Sequence, residues 1–137
     1  MRITDMEVHT IQPRFQDFNA EAIIRYHGKA FQHRTVYVLH TDDGLEGIGE
    51  SIGVARDTDA LREKYVGTNP FDWINAEQDL ALNCALYDLM GKHLGLPAWK
   101  LMGPKVRSWI PVAAWSISRA PEEMAEEVVQ AAGRGYR

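Results

Sequence analysis

The chain has 137 residues, 45% hydrophobic and 25% charged, which is enough for a domain with a real core. Its formal net charge of -4, with Lys and Arg scattered along the chain, excludes a basic nucleic-acid footprint. No apolar run approaches the ~18 residues of a membrane helix, and the N-terminus MRITDMEVHTIQ alternates polar and apolar where a signal peptide would carry an apolar core.

Arg2 to Gln12 alternates, with Ile3, Met6, Val8 and Ile11 apolar, and predicts a strand whose irregular phase signals a bulge. Pro13 to Lys29 has no clean period and is expected as a loop. Its length, and its content of Phe15, Phe18, Ile23, Ile24 and Tyr26, argue for a functional loop over a disordered one. Thr35 to Thr41 and Leu45 to Ser51 flank Asp42-Asp43-Gly44, a strong hairpin signal. The first half therefore predicts a three-stranded antiparallel meander. Gly47 and Gly49 fall on one face of the third strand and leave a smooth strip where a helix can come close.

Thr58 to Tyr65 predicts a short helix with Thr58 as its N-cap and Gly67 past its end. Asn69-Pro70 marks a turn. The stretch from Asp79 to Gly103, DLALNCALYDLMGKHLGLPAWKLMG, organises the rest. Leu82, Leu86, Leu89 and His93 share one helical face, with Ala81, Cys84 and Ala85 on a small-residue stripe beside it. Tyr87, Met90 and Leu94 widen the apolar surface, so this helix is expected to be mostly buried. Asp88 and Lys92 form an i, i+4 pair. Gly95 and Pro97 stop the helix, and Ala98 to Met102 reads as a further turn. Cys84, the single cysteine, is expected to be buried and inert, which excludes a disulfide framework and fits a reducing, cytoplasmic setting.

Val106 to Trp115 reads as a strand, awkward at Pro111. Pro121 opens a helix with Glu122 and Glu123 in its first turn and Met124, Ala125, Val128, Val129 and Ala132 on its apolar face. Gly133 and Gly135 end it. A strand then a helix is two-thirds of a βαβ unit, so the last 30 or so residues read as the start of something larger.

Chemistry is sparse. His9, His27, His33, His40 and His93 form no HxH or HExxH motif and have no cysteine pair beside them. His40 and His93 read as structural or surface residues, whereas His27 and His33, flanking Gly28 and Phe31 in the long loop, could touch a ligand. Asp42-Asp43 and Glu46-Glu50 are explained by a turn and a solvated strand face. Gly44, Gly47, Gly49 and Gly53 make no dinucleotide fingerprint, and Ser51 lacks a nucleophile-elbow context. No catalytic residue and no metal ligand is assigned in this chain.

The segments ITDMEVHT, VYVLHTDDGLEGIGES, NPFDW and ALYDLMGKHLGLPAWKLMGPKVRSWIPVAAW, followed by PEEMAEEVVQAAGRGYR, resemble the N-terminal part of the mandelate racemase and muconate lactonizing enzyme group of the enolase superfamily. ALYDLMGKHLGLP and TDDGLEGIGES are the specific parts, and the resemblance covers essentially the whole chain. It implies an α+β fold: a β meander followed by a small helical bundle, then the start of a (β/α) barrel. Residues 1–104 would be the capping domain. Residues 105–137 would hold the first strand, Ile110 to Trp115, and the first helix of a TIM-like barrel that needs about 250 residues when complete. The implied chemistry is abstraction of a proton alpha to a carboxylate, with Mg2+ stabilising the enediolate. The family's bases and metal ligands lie on later barrel strands. The implied substrate is a small carboxylate or acid sugar, and the implied assembly a cytoplasmic homo-oligomer with neither nucleic acid nor membrane as partner. Two capping loops would close over the substrate. Phe15, Phe18, Tyr26 and His27 are the lid candidates of the first, and Ser51 and Ile52 of the second; packing is the competing role for each aromatic. Two departures stand out. Gly103-Pro104 replaces the family's double glycine, and Glu50 to Ala85 is short. The expectation is thus a racemase, dehydratase or cycloisomerase whose 137-residue portion is inactive alone. The alternative is a free-standing, non-enzymatic domain of the same fold that binds a ligand or self-associates.

Overall fold

The computed structural model describes residues 1–15, 17–76 and 79–136, apart from the side chains of Asp17, Phe18 and Ala30. The elements are β1 (Ile3–Ile11), α1 (Asp17–His27), β2 (Arg34–Thr41), β3 (Glu46–Ile52), α2 (Thr58–Tyr65), α3 (Leu80–Leu94) and α4 (Pro121–Gly133), with 3-10 turns at Lys29–Gln32, Pro70–Trp73 and Ala98–Leu101. The chain divides into two compact units. One comprises Met1–Pro13 and Gln32–Pro104, the other Arg14–Phe31 and Lys105–Arg137.

In the first unit the strands run antiparallel in the order β1-β2-β3, the meander expected from the sequence. The irregular phase of β1 appears as a register shift between Ile3 and Asp5. Period-2 burial is clean on β2, where Thr35, Tyr37, Leu39 and Thr41 are all covered. On β3 the covered positions are Gly47 and Gly49. A Cβ built on Gly49 would lie 1.7 Å from the carbonyl oxygen of Ala81, and one on Gly47 would lie 2.3 Å from that of Ala85. The glycines therefore let the α3 backbone rest on the sheet.

α3 buries Ala81, Leu82, Ala85, Leu86, Leu89, Met90 and Gly91, which with Ile3, Met6, Tyr37, Leu39 and Tyr65 make the core. Asp79 caps its start by accepting from the Ala81 amide at 2.9 Å, and Gly95 ends it in the left-handed region at φ 64°. The Asp88–Lys92 pair also finishes the edge of β3. Asp88 Oδ2 accepts from the Ile48 amide at 3.0 Å, and Lys92 Nζ donates to the Glu46 carbonyl at 2.6 Å. An edge strand so occupied offers fewer free backbone groups to another chain.

Several expectations are corrected here. Pro13 to Lys29 is not all loop, since α1 occupies its centre. Among the described side chains of α1 only Ala22 and Ile23 are buried, adjacent in sequence, so no repeating period announces the helix. Val106 to Trp115, including the expected strand Ile110 to Trp115, forms no strand, because a β-like sequence becomes one only by pairing and no described strand lies beside it. Cys84 is exposed, as are Leu80 and Leu94, since α3 is apolar round its circumference but covered on one side. His93 leaves the buried face and bonds Asp43 at 3.1 Å. At α2 the N-cap is Asp57, held at φ 51° without a side-chain cap, and Thr58 is the first helical residue.

Candidate functional site

The second unit is built on one apolar contact. Residues 105–116 are exposed throughout, yet Ile117 is buried against Ala22 and Ile23 of α1, with Phe15 and Phe31 packed around them. The rings of Phe15 and Phe31 are stacked with centroids 6.3 Å apart, and His27 lies 5.1 Å from Phe31. Of the first lid candidates, Phe15 and His27 thus converge on Phe31, whereas Tyr26 faces solvent. The side chain of Phe18 lies outside the described residues. The second lid candidates belong to the other unit. Ser51 pairs with Thr35 on the β2–β3 ladder and is half-buried, and Ile52 pairs with Arg34 and is exposed. His33 sits just before β2, and its carbonyl accepts from the Gly53 amide at 2.9 Å.

A polar cluster that the sequence reading did not single out borders the apolar contact. Arg119 Nη2 donates to Asn19 Oδ1 of α1 at 2.8 Å, and Arg119 Nε lies 3.1 Å from Glu127 Oε2 of α4. Ser116 donates to that same Glu127 oxygen at 2.6 Å. The Arg119 and Glu127 side chains are 11% and 12% exposed, so water screens their attraction only weakly. A signal for this cluster was present. Arg119 directly precedes the N-cap of α4, the positive end of a helix dipole, where a cation is disfavoured unless an anion holds it.

A cavity of about 230 Å³ opens beside the cluster, lined by Asn19, Trp115, Ser116, Glu127, Arg134 and Tyr136 among others. That is smaller than the roughly 300–1,000 Å³ of ordinary ligand pockets. Among the described residues no three His, Cys, Asp or Glu side chains gather into a group able to hold a metal ion. The donor set present here therefore does not fit Mg2+. No helix of the described residues is long and apolar enough to cross a membrane.

No family model matches the chain. It is 27% identical to an N-succinyl-L-Arg/Lys racemase of Bacillus cereus over 165 aligned positions, which take in 100% of this chain and 43% of the relative. Against 137 residues, those 165 positions leave 28 that face no residue of this chain. A crystal structure of an isomerase from Streptomyces coelicolor superposes with a TM-score of 0.69 at 26% identity, covering 98% of this chain and 43% of that one. The crystal structure of a mandelate racemase/muconate lactonizing enzyme from Roseovarius nubinhibens does so with a TM-score of 0.65 at 20% identity, over 99% and 43%. Further relatives include two dehydratases and, among solved structures, a dipeptide epimerase and a protein complexed with magnesium. The chain thus spans less than half the length of these relatives, along their N-terminal part.

Proposed function

From a chain that carries the N-terminal capping fold of the mandelate racemase and muconate lactonizing enzyme group of the enolase superfamily, we propose that it caps the active site of a racemase, dehydratase or cycloisomerase. Its task is to close the stretch Phe15 to Lys29 over a small carboxylate or acid-sugar substrate and to help set which substrate is accepted. Residues 1–104 form the cap and residues 105–137 begin the barrel. The chemistry is removal of a proton alpha to the carboxylate. In the whole enzyme Mg2+ would stabilise the resulting charge, held by ligands other than the residues described here. The 137-residue chain alone is inactive, and the whole enzyme is a cytoplasmic homo-oligomer.

One observation carries the lid reading: α1 packs on Ile117 and bonds Arg119. In the proposed whole enzyme these residues follow Ile110 to Trp115, taken as the first barrel strand, and TIM-barrel sites open at that end of their strands. Phe15, Phe18, Tyr26 and His27 then supply water-excluding surface from the first capping loop, and Ser51 and Ile52 are the candidates of the second. A free-standing monomeric domain would bury Val106, Trp109, Ile110, Val112 and Trp115, and their exposure weighs against that reading.

The test is a graft. Residues 1–137 replace the matching N-terminal part of the Bacillus cereus racemase, and kcat and KM are measured with Mg2+ on a panel of N-succinyl amino acids and acid sugars. Retained turnover with a changed KM pattern supports the reading. Turnover with the parental KM pattern refutes the specificity role, and activity of the isolated 137-residue chain refutes its incompleteness.

A further inference from the structure

We propose that Arg119 is the positioning residue of the capping segment: anchored by Glu127 at the start of α4, it clamps α1 through Asn19 and so sets where residues 15–27 stand. The proposal rests on the reading of Phe15 to Lys29 as a lid. The apolar contact beneath α1 is small, with only Ala22, Ile23 and Ile117 fully covered among the described residues. Such contacts are non-directional and leave a helix free to slide or rotate. The bond from Arg119 Nη2 to Asn19 Oδ1, at 2.8 Å, is directional and charge-assisted.

The guanidinium is also held at its other end by an ion pair, whose N–H is not aligned as a hydrogen bond. Its Nε lies 3.1 Å from Glu127 Oε2, and Ser116 donates to that same oxygen at 2.6 Å. Ser116 therefore orients the Glu127 carboxylate, the carboxylate attracts Arg119, and Arg119 presents a donor to α1. Arginine is required for this double role. Its planar fork can face two partners, whereas a lysine ammonium is a point charge on a flexible stem. A lysine here keeps the attraction to Glu127 and loses the hold on Asn19. Through the Asn19 bond the clamp joins α1 to a residue next to α4, so releasing it should free the segment without unfolding the helix that bears Glu127.

Hydrogen exchange on the 137-residue chain tests the clamp, using Asn19→Ala, Arg119→Lys and the double variant. Each single change is expected to speed amide exchange in residues 22–27 about tenfold, the loss of one hydrogen bond to a charged group. The double variant should fall short of the product of the two single effects, since both changes remove the Arg119–Asn19 bond. Amides of α4 and of the sheet should stay as in the parent. Unchanged α1 exchange in either single variant overturns the proposal. So do effects that simply multiply in the double variant, or α4 loosening as much as α1. The lid reading fails separately. In the racemase graft, Asn19→Ala should raise KM with kcat little changed, and an unmoved KM beside a loosened α1 refutes the lid while the clamp stands.

Discussion

Replacing Gly49 with alanine asks whether the approach of α3 to β3 is as close as the backbone geometry requires. The added Cβ would sit 1.7 Å from the Ala81 carbonyl oxygen, 2.8 Å from its carbon and 2.9 Å from the Ala85 amide nitrogen. All three are backbone atoms, so no side chain can swing aside. Relief requires the helix to lift from the sheet by more than 1 Å, because real Cβ atoms essentially never come within 3.0 Å of such an atom. A radial gap of about 0.5–1 Å already forfeits a quarter to a half of each van der Waals well, and a buried Leu makes some 40–60 contacts of about 0.1–0.2 kcal/mol. Leu82, Leu86 and Leu89 all lie along that interface. A loss of about 3–5 kcal/mol follows, at or above the usual range for overpacking. Urea unfolding followed by circular dichroism should show the midpoint fall sharply, or no folded baseline at all. Gly53→Ala serves as control. It meets nothing within 4 Å, and its φ of 96° costs only local strain of about 1–2 kcal/mol. Were Gly49→Ala to cost no more than Gly53→Ala, the close helix–strand contact would be refuted.

Three other outcomes are expected. Asp88→Ala removes the acceptor for the Ile48 amide and should cost about 0.5–1.5 kcal/mol in urea titration, whereas Asp88→Asn, which keeps an acceptor, should recover most of it. The Glu7 carboxyl is held below its ordinary range by hydrogen bonds from His9 and His40. A depressed folded value contributes stability above the unfolded pKa that is lost as pH falls through the folded one, so Glu7→Gln should flatten the acid limb of the stability curve below about pH 4.5; an unchanged limb would exclude Glu7 as a cause. With Trp109 at 88% and Val106 at 85% exposure, the chain should associate as its concentration rises in sedimentation velocity and should bind an apolar dye. A strict monomer with low dye binding would favour a free-standing domain.

The sheet was legible because local signals mark its strands: alternation at Ile3, Met6, Val8 and Ile11, the β-branched and aromatic run Thr35 to Thr41, and the Asp-Gly turn after it. The glycine strip was legible for the same reason, since period 2 puts Gly47 and Gly49 on one face. Where burial depends on what lies opposite, the pattern misled. α3 is apolar on most sides, so Cys84 and His93 could not be assigned to the covered face from spacing alone. Val106 to Trp115 has strand-like residues, but pairing is a property of two segments. At the candidate site, Phe15 and His27 were visible as ring-bearing residues of a long connection. Asn19, Ser116, Arg119 and Glu127 lie up to 108 positions apart, and only folding brings them together.

The connection between β1 and β2 has a further consequence. Its two ends are tied at the neck: Ile11 faces Arg34 on the ladder, and Gln12 donates to Gln32 across it at 3.2 Å. Everything between Pro13 and Gln32 is an excursion from a closed base. Lengthening a flexible excursion is cheap, because each doubling adds only about 0.6 kcal/mol of closure entropy. Insertions and wholesale exchanges of this stretch are therefore insulated from the register of the meander. A lineage could retune what the excursion touches many times over while the strands that carry it stay as they are.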